Sequence, residues 1–349
     1  MFQVGEYVPW YVVQGTDGSK FAPQTFDAKY VVLCFFGSTS NPYSRRVLDD
    51  IERHGERFHG ESIVFVGISA DPKDAHLRPR REKGIYLCDS TLQLSRLHEV
   101  ISADGTQFEP QTIILDPMQR VASVLRFDGE AESYVPRLLD TLNALPAIRD
   151  LTGYAPIIIL PNVFEPEFCR ALIGLYEQHG GREGAAIRDV GGKNVRVVDH
   201  RHKSRLDYLI TDPDIREAAA FRLRRRLAPE IRRAFQFQAA SVERHLVACY
   251  DAAMGGWFKA HRDNTVAVTA HRQFAVTINL NAEDYEGGDL CFPEYGSRLY
   301  RGPTGGAVVF SCTLLHEAKP VTKGRRFAYL PFLYDKEGYE KCVAAATPA

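Results

Sequence analysis

Tyr30-Val31-Val32-Leu33-Cys34-Phe35-Phe36 runs directly into Gly37-Ser38-Thr39-Ser40-Asn41-Pro42-Tyr43-Ser44. An unbroken apolar run rich in β-branched and aromatic residues predicts a strand covered on both faces. Asn41 and Pro42 then mark a helix start, with Asn as the cap and Pro at the first helical position. Val47, Leu48, Ile51 and Phe58 give the following segment an apolar side among charges. A doubly covered strand that feeds a helix is the building unit of an α/β domain.

Working outward, residues 62–68, 85–88, 111–115 and 121–127 read as further strands. Ser90-Thr91-Leu92-Gln93 fits a capping box, Asp116-Pro117 a turn, and residues 134–145 an amphipathic helix. The order βαβαβαββα predicts a mostly parallel sheet with helices on both faces. The turn-rich stretch 146–156, with Pro146, Gly153 and Pro156, marks the expected boundary between domains at 1–150 and 151–349.

The second half has a different pattern. Residues 165–179 and 215–227 read as helices. Strands are then expected at 246–250, 258–263, 273–281, 290–293, 297–301, 307–312 and 325–334. Helices followed by a run of short strands predict an α+β domain with a jelly-roll core, the double-stranded β-helix. Residues 189–208, with Gly191-Gly192 and many charges, read as a long loop suited to act as a substrate-selecting lid.

Composition bounds the function. The chain has 349 residues, 45% apolar and 25% charged, with a net charge of −1. Those figures exclude disordered, collagenous and coiled-coil proteins, and give no electrostatic pointer to nucleic acid or an anionic membrane. The first half carries a small acidic excess and the second a small basic one. Seven scattered cysteines without a CxxC are not a disulfide framework, and no apolar run is long enough for a membrane span. Together with an N-terminus unlike a secretory signal, these features predict a soluble, cytoplasmic protein.

The chemistry is expected at His261-Arg262-Asp263 and at His316, 55 residues further on. Two residues apart on a strand, His261 and Asp263 leave the same face. With His316 they make a set of two His and one carboxylate, which holds a metal on one side and leaves positions open, as in non-haem Fe(II) oxygenases. The tripeptide alone is common by chance, so its surroundings carry the argument.

Leu314-Leu315-His316-Glu317-Ala318-Lys319-Pro320-Val321-Thr322-Lys323-Gly324-Arg325-Arg326 resembles the third-ligand segment of the prolyl 4-hydroxylase-like 2-oxoglutarate dioxygenases. Tyr250 with Gly255-Gly256, then Glu286-Gly287-Gly288-Asp289 and Phe292-Pro293, are similar to that family's approach to its ligands. Leu160-Pro161-Asn162-Val163-Phe164 resembles its helical cap, so the likeness covers about residues 156–340. The resemblance implies Fe(II) on His261, Asp263 and His316, with 2-oxoglutarate and O2 as cosubstrates. It implies hydroxylation of a substrate C–H with release of succinate and CO2. Asp263 matters here, because related halogenases carry a small residue at that position. The family also implies Arg326, ten residues after His316, as the grip on the far carboxylate of 2-oxoglutarate, with Arg325 as the alternative and Tyr250 beside it. Ascorbate as reductant is implied by the family alone.

The first half resembles the peroxiredoxin branch of the thioredoxin-like fold, of AhpC/TSA redoxin type, in 31–36, in 37–44 and in Pro110-Gln111-Thr112-Ile113-Ile114-Leu115-Asp116. In that family the loop holds the redox cysteine at a helix N-terminus. Here it holds none. Ser44 stands about where the thiol belongs, and an alcohol forms neither a sulfenic acid nor a disulfide. A redox-inactive domain is expected, with Pro110 at the usual cis-proline position and Cys34 and Cys88 as buried apolar residues.

His245 and His271 read as structural or solvated, and the arginines at 222, 224, 225, 226, 232 and 233 as a solvated helix face. Two other classes are set beside the dioxygenase: a thiol peroxidase built on the first half, and a non-catalytic scaffold or sensor. The substrate is an amino-acid-like, peptidyl or protein molecule that the sequence does not name. Oligomeric state and the role of the first domain are equally unspecified.

Overall fold

The apolar run forms β1 (Tyr30–Gly37), the central strand of a five-stranded sheet in which residues 31–36 are at most 1% exposed. After α1 (Pro42–Arg53) come β2 (Ile63–Ser69), β3 (Ile85–Cys88), β4 (Gln111–Leu115), β5 (Val121–Arg126) and α2 (Ala131–Ala144). The order is β3-β2-β1-β4-β5, with β1, β2 and β3 parallel and β4 and β5 antiparallel to their neighbours. The sheet is therefore mixed. Alternate residues of β1 feed opposite cores. Val32, Cys34 and Phe36 pack with Ile51 of α1 and Tyr134 and Leu138 of α2, while Leu33 and Phe35 pack with Val66, Leu94 and Ile113.

This computed structural model describes every residue except 1, 10, 19, 22, 24, 25, 27, 28, 59–61, 79–83, 103, 106, 149–152, 185, 191, 192, 198, 199, 201 and 347–349. The chain divides into two compact units, Met1–Tyr154 with Pro293–Ser297, and Ala155–Phe292 with Arg298–Ala349. The boundary expected at 150/151, and Gly191-Gly192, lie outside the described residues.

Three local expectations for the first unit need correction. The capping box at Ser90–Gln93 does not form. Leu92 is left-handed (φ 58) at the cap of helix Gln93–Leu97, and the Asp89 carboxylate accepts from Leu94 N at 3.1 Å and Ser95 N at 2.7 Å. A carboxylate that accepts two amides satisfies the helix start better than one hydroxyl. Between β2 and β3 the described residues form a 3-10 turn, Pro72–His76, where an α-helix was expected. The bond preceding Pro110 is trans, since no cis peptide bond is present among the described residues. Trans is the lower-energy form unless a local contact selects cis.

The second unit opens with β6 (Ile158–Leu160) and α3 (Pro166–His179), followed by β7 (Lys203–Ser204), β8 (Leu206–Leu209), α4 (Pro213–Arg222) and α5 (Ala228–Phe235). Then come β9 (Ser241–Val242), β10 (Leu246–Asp251), β11 (Trp257–His261), β12 (Phe274–Asn279), β13 (Leu290–Cys291), β14 (Leu299–Tyr300), β15 (Ala307–Ser311), β16 (His316–Ala318), β17 (Arg325–Tyr329) and β18 (Phe332–Tyr334). The smaller sheet has the order β7-β11-β16-β13-β14, and the larger contains β9-β18-β12-β17-β10-β8. The described part of 189–208 is not a loop. Ala186–Val190 and Lys193–Val197 pair as a hairpin, and β7 and β8 join the two sheets. Leu206 and Tyr208 alternate towards the core, which is what pins this charged stretch as a strand.

One face of the larger sheet is dry. Val247, Cys249, Val276, Ile278, Phe327 and Tyr329 pack against Leu172 and Tyr176 of α3 and Ile231 of α5. By the two-residue period of a strand, Tyr250, Thr277 and Arg326 fall on the other face, and they line a cleft with residues of the smaller sheet. Among the described residues no helix is long and apolar enough to cross a membrane.

Candidate metal centre

β11 and β16 are antiparallel neighbours, and His261 lies directly opposite His316. Opposed residues of an antiparallel pair share a face, so the two rings meet with centroids 4.3 Å apart. β11 ends at His261, two residues before the expected end of that strand. The chain then bends, and the Asp263 N–H donates to the Cys312 carbonyl at 3.1 Å. The Arg272 guanidinium holds the Asp263 carbonyl at 3.3 Å and itself binds both oxygens of Glu243, at 2.6 Å and 2.5 Å. So secured, Asp263 Oδ1 lies 3.6 Å from His261 Nε2, and Oδ2 lies 3.3 Å from His316 Nε2. One ligand atom from each of the three lies within 4.8 Å of the others.

The outer ring nitrogens settle the tautomers. His261 Nδ1 is 2.7 Å from the Lys259 carbonyl, and His316 Nδ1 is 3.0 Å from the Leu314 carbonyl. A carbonyl can only accept, so each Nδ1 carries a proton, and in the neutral ring each Nε2 turns its lone pair towards the centre. Burial, and then the neighbouring His316, hold the His261 pKa well below its ordinary value and keep the ring neutral. Phe258 stacks on His261 at 3.6 Å, and Phe310 lies 4.5 Å from the His316 ring.

Residues 245–334, which contain all three groups, match the sequence profile of the 2OG-Fe(II) oxygenase superfamily. A PKHD-type hydroxylase of Stutzerimonas stutzeri is 32% identical over 184 residues, covering 49% of this chain and 75% of that protein. The chain belongs to the 2OG-Fe(II) oxygenase superfamily. Residues 4–124 match the profile of the AhpC/TSA family, so this 2OG-Fe(II) oxygenase carries a redoxin domain at its N-terminal side. A PKHD-type hydroxylase from a Synechococcus strain is 33% identical over 89 residues, which is 24% of this chain and 39% of that relative's length. Among solved structures, the peroxidoxin BcpB of Mycobacterium tuberculosis is similar at 18% identity, with a TM-score of 0.36, over 42% of this chain and 99% of that one.

The cleft of this 2OG-Fe(II) oxygenase is small, with a cavity volume of about 50 Å³. Arg326 enters it from β17 and is 2% exposed. It lies directly opposite Tyr250 of β10, with its guanidinium 4.9 Å from the centre of the Tyr250 ring. Arg326 Nε donates to Asn279 Oδ1 at 3.4 Å, and its buried Nη1 has no hydrogen-bond partner. Gly288 makes room for it: φ is +69°, and a Cβ there would lie 3.0 Å from Arg326 Cδ. Arg325 faces away, 46% exposed and paired with Glu177 at 2.9 Å.

Two arginines of the cleft escape a motif-based reading. Arg205 precedes β8, and Arg244 lies between β9 and β10; both line the cleft. Period two was the missed signal for Arg205, since Leu206 and Tyr208 face the core and leave Arg205 and Asp207 to the other side. Arg205 Nη1 donates to the Tyr250 hydroxyl at 3.2 Å, and Arg205 Nη2 to Asp207 at 2.8 Å. Arg244 has no comparable local signal. His245 and His271 are buried against Tyr329 and Glu243. Within the basic helical stretch, Arg222, Arg224, Arg226 and Arg233 pair with glutamates.

Proposed function

We propose that residues 151–349 form an Fe(II)- and 2-oxoglutarate-dependent dioxygenase, and that residues 1–150 form a redox-inactive thioredoxin-like domain. The reaction is hydroxylation of a C–H bond in an amino-acid-like, peptidyl or protein substrate, with release of succinate and CO2. Ascorbate as reductant and a cytoplasmic setting belong to the same reading.

The observation that carries it is the two Nε2 atoms and one carboxylate converging on a point, with each Nδ1 already committed to a carbonyl. That donor set fits a divalent iron held on one side with positions left open. When bound, Fe(II) with a 2-oxo acid would activate O2, the oxidant, for C–H hydroxylation. His261, Asp263 and His316 hold the ion. Arg326 offers an orphaned, buried N–H pointing into the cleft, suited to the far carboxylate of 2-oxoglutarate. The Tyr250 ring packs against that guanidinium and aims it. Phe258 and Phe310 exclude water from the two imidazoles.

The N-terminal proposal rests on Ser44, which is 1% exposed and whose hydroxyl donates to the Phe36 carbonyl at 2.6 Å. Cys34 is fully buried, with its thiol pushed up to about 12 by burial.

Anaerobic addition of Fe(II) and 2-oxoglutarate to the full chain should produce a weak visible charge-transfer band, and air should then yield succinate. His261→Ala should abolish the band and lower succinate formation by more than roughly 100-fold, beyond the ~10–100-fold typical of outer-layer changes. An undiminished band in that variant would sink the assignment.

A further inference from the structure

The three arginines of the cleft are not equally matched by negative charge. Asp263 is the one carboxylate among the described residues that line it. Arg205 is answered by Asp207, which also lies 3.7 Å from Lys203. On the reading given above, Asp263 and one carboxylate of 2-oxoglutarate offset the charge of Fe(II), and the other carboxylate offsets Arg326. Arg244 is then left without a close counter-charge, since Asp207 and Asp263 act on it only through space.

Its own contacts agree. The Arg244 guanidinium lies 4.3 Å from the centre of the Phe332 ring, and Nε donates to the Leu330 carbonyl at 3.3 Å. Among the described residues neither Nη atom makes a hydrogen bond or a close ion pair, and Asp207 and Asp263 act on the guanidinium only through space. With Nε engaged, the two Nη groups form the parallel fork that grips a carboxylate through both oxygens. Arg244 is half-buried, and a cation without a close partner on the wall of a cleft attracts an anion.

We propose that Arg244, backed by Arg205, binds a carboxylate of the substrate, which makes the substrate a small carboxylic acid of amino-acid type rather than a neutral internal stretch of polypeptide. The proposal rests on the dioxygenase reading. Burial and the nearby Arg205 and Arg272 cations lower the Arg244 pKa to about 10, and burial and Arg205 bring Lys203 to about 7. Both shifts come first from burial, with neighbouring cations adding to it and Asp207 opposing it.

The test uses the full chain loaded anaerobically with Fe(II) and 2-oxoglutarate. The probes are the common free L-amino acids, their carboxamides and inorganic phosphate. Binding is read as a perturbation of the charge-transfer band, and turnover as probe-dependent succinate in air. At least one free acid should bind, and its carboxamide should bind roughly tenfold or more weakly. Arg244→Gln should weaken the acid by a similar factor while the band itself persists, and Arg244→Lys should recover part of the affinity. The proposal is overturned if acid and amide bind alike, if no acid perturbs a band that is present, or if Arg244→Gln binds the acid normally. Loss of the band in Arg244→Gln would move that residue to the cosubstrate grip and overturn it too. Phosphate binding more tightly than every acid would replace the ligand class named here. Absence of the band in the unmutated protein would instead be a failure of the metal reading.

Discussion

The Gly37–Ser44 loop and the His261–Asp263 bend stand at corresponding stages of two different domains, each just after the strand that delivers the reactive group. Their polar atoms are treated in opposite ways. In the loop the capping and hydroxyl groups pair locally: Asn41 Oδ1 accepts from Tyr43 N at 2.8 Å and Ser44 N at 3.3 Å, and Ser44 donates to Phe36. In the cleft the lone pairs of His261 and His316 converge on a common point, Arg326 Nη1 is orphaned, and the Arg244 fork is free among the described residues. Satisfied groups stabilise a scaffold, whereas convergent unsatisfied ones mark the place a ligand completes.

The strongest way to break that contrast is Arg326→Gln. The KM for 2-oxoglutarate should rise roughly 10- to 100-fold, from the about 1.5–3 kcal/mol of a charge-assisted hydrogen bond. Arg325→Gln, losing only an exposed ion pair, should leave KM unchanged and alter stability by less than about 1 kcal/mol. Equal effects from the two would erase the distinction between the orphaned and the satisfied guanidinium.

A second comparison uses one buried histidine from each unit. Burial lowers both His98 and His245 to about 4. An unfolded His titrates near ~6.5, so the unfolded chain takes up protons between about pH 6.5 and 4 that the folded chain refuses. Stability is therefore fully present above that window and falls as pH drops through it. For His98, which is 0% exposed, the loss is at most about 3 kcal/mol. Urea unfolding at about pH 7 and about pH 5 should show a shallower pH dependence in His98→Leu than in the unmutated chain. An unchanged slope would show that His98 is not the titrating group of its unit.

The smallest effect is expected at Ser44. Ser44→Ala removes one hydrogen bond and should cost about 1 kcal/mol of stability. Succinate formation by the full chain should stay at the level of the unmutated protein. A fall in turnover without unfolding would mean that the first unit contributes to the chemistry after all.

Much of this was legible in the chain because it rests on local chemistry. The doubly covered strand 30–36 could be read, since every residue is apolar and both faces need cover. The helix start at Asn41-Pro42 formed as expected, because cap and proline act within one turn. At Ser90–Gln93 the same kind of reading failed: Asp89, one residue upstream, took the cap. The strands in 189–208 were hidden because charges dominate the stretch, and only pairing with neighbours makes it a sheet.

By itself the sequence determined the ligand types, their spacing, and the absence of a thiol from the loop. Only the tertiary structure decided that His261 faces His316, that Arg326 turns inward while Arg325 meets Glu177, and that Arg205 and Arg244 share the cleft. The physical reason is register. A strand's face is fixed by its pairing partners far along the chain, and a shift of one residue would exchange Arg325 for Arg326.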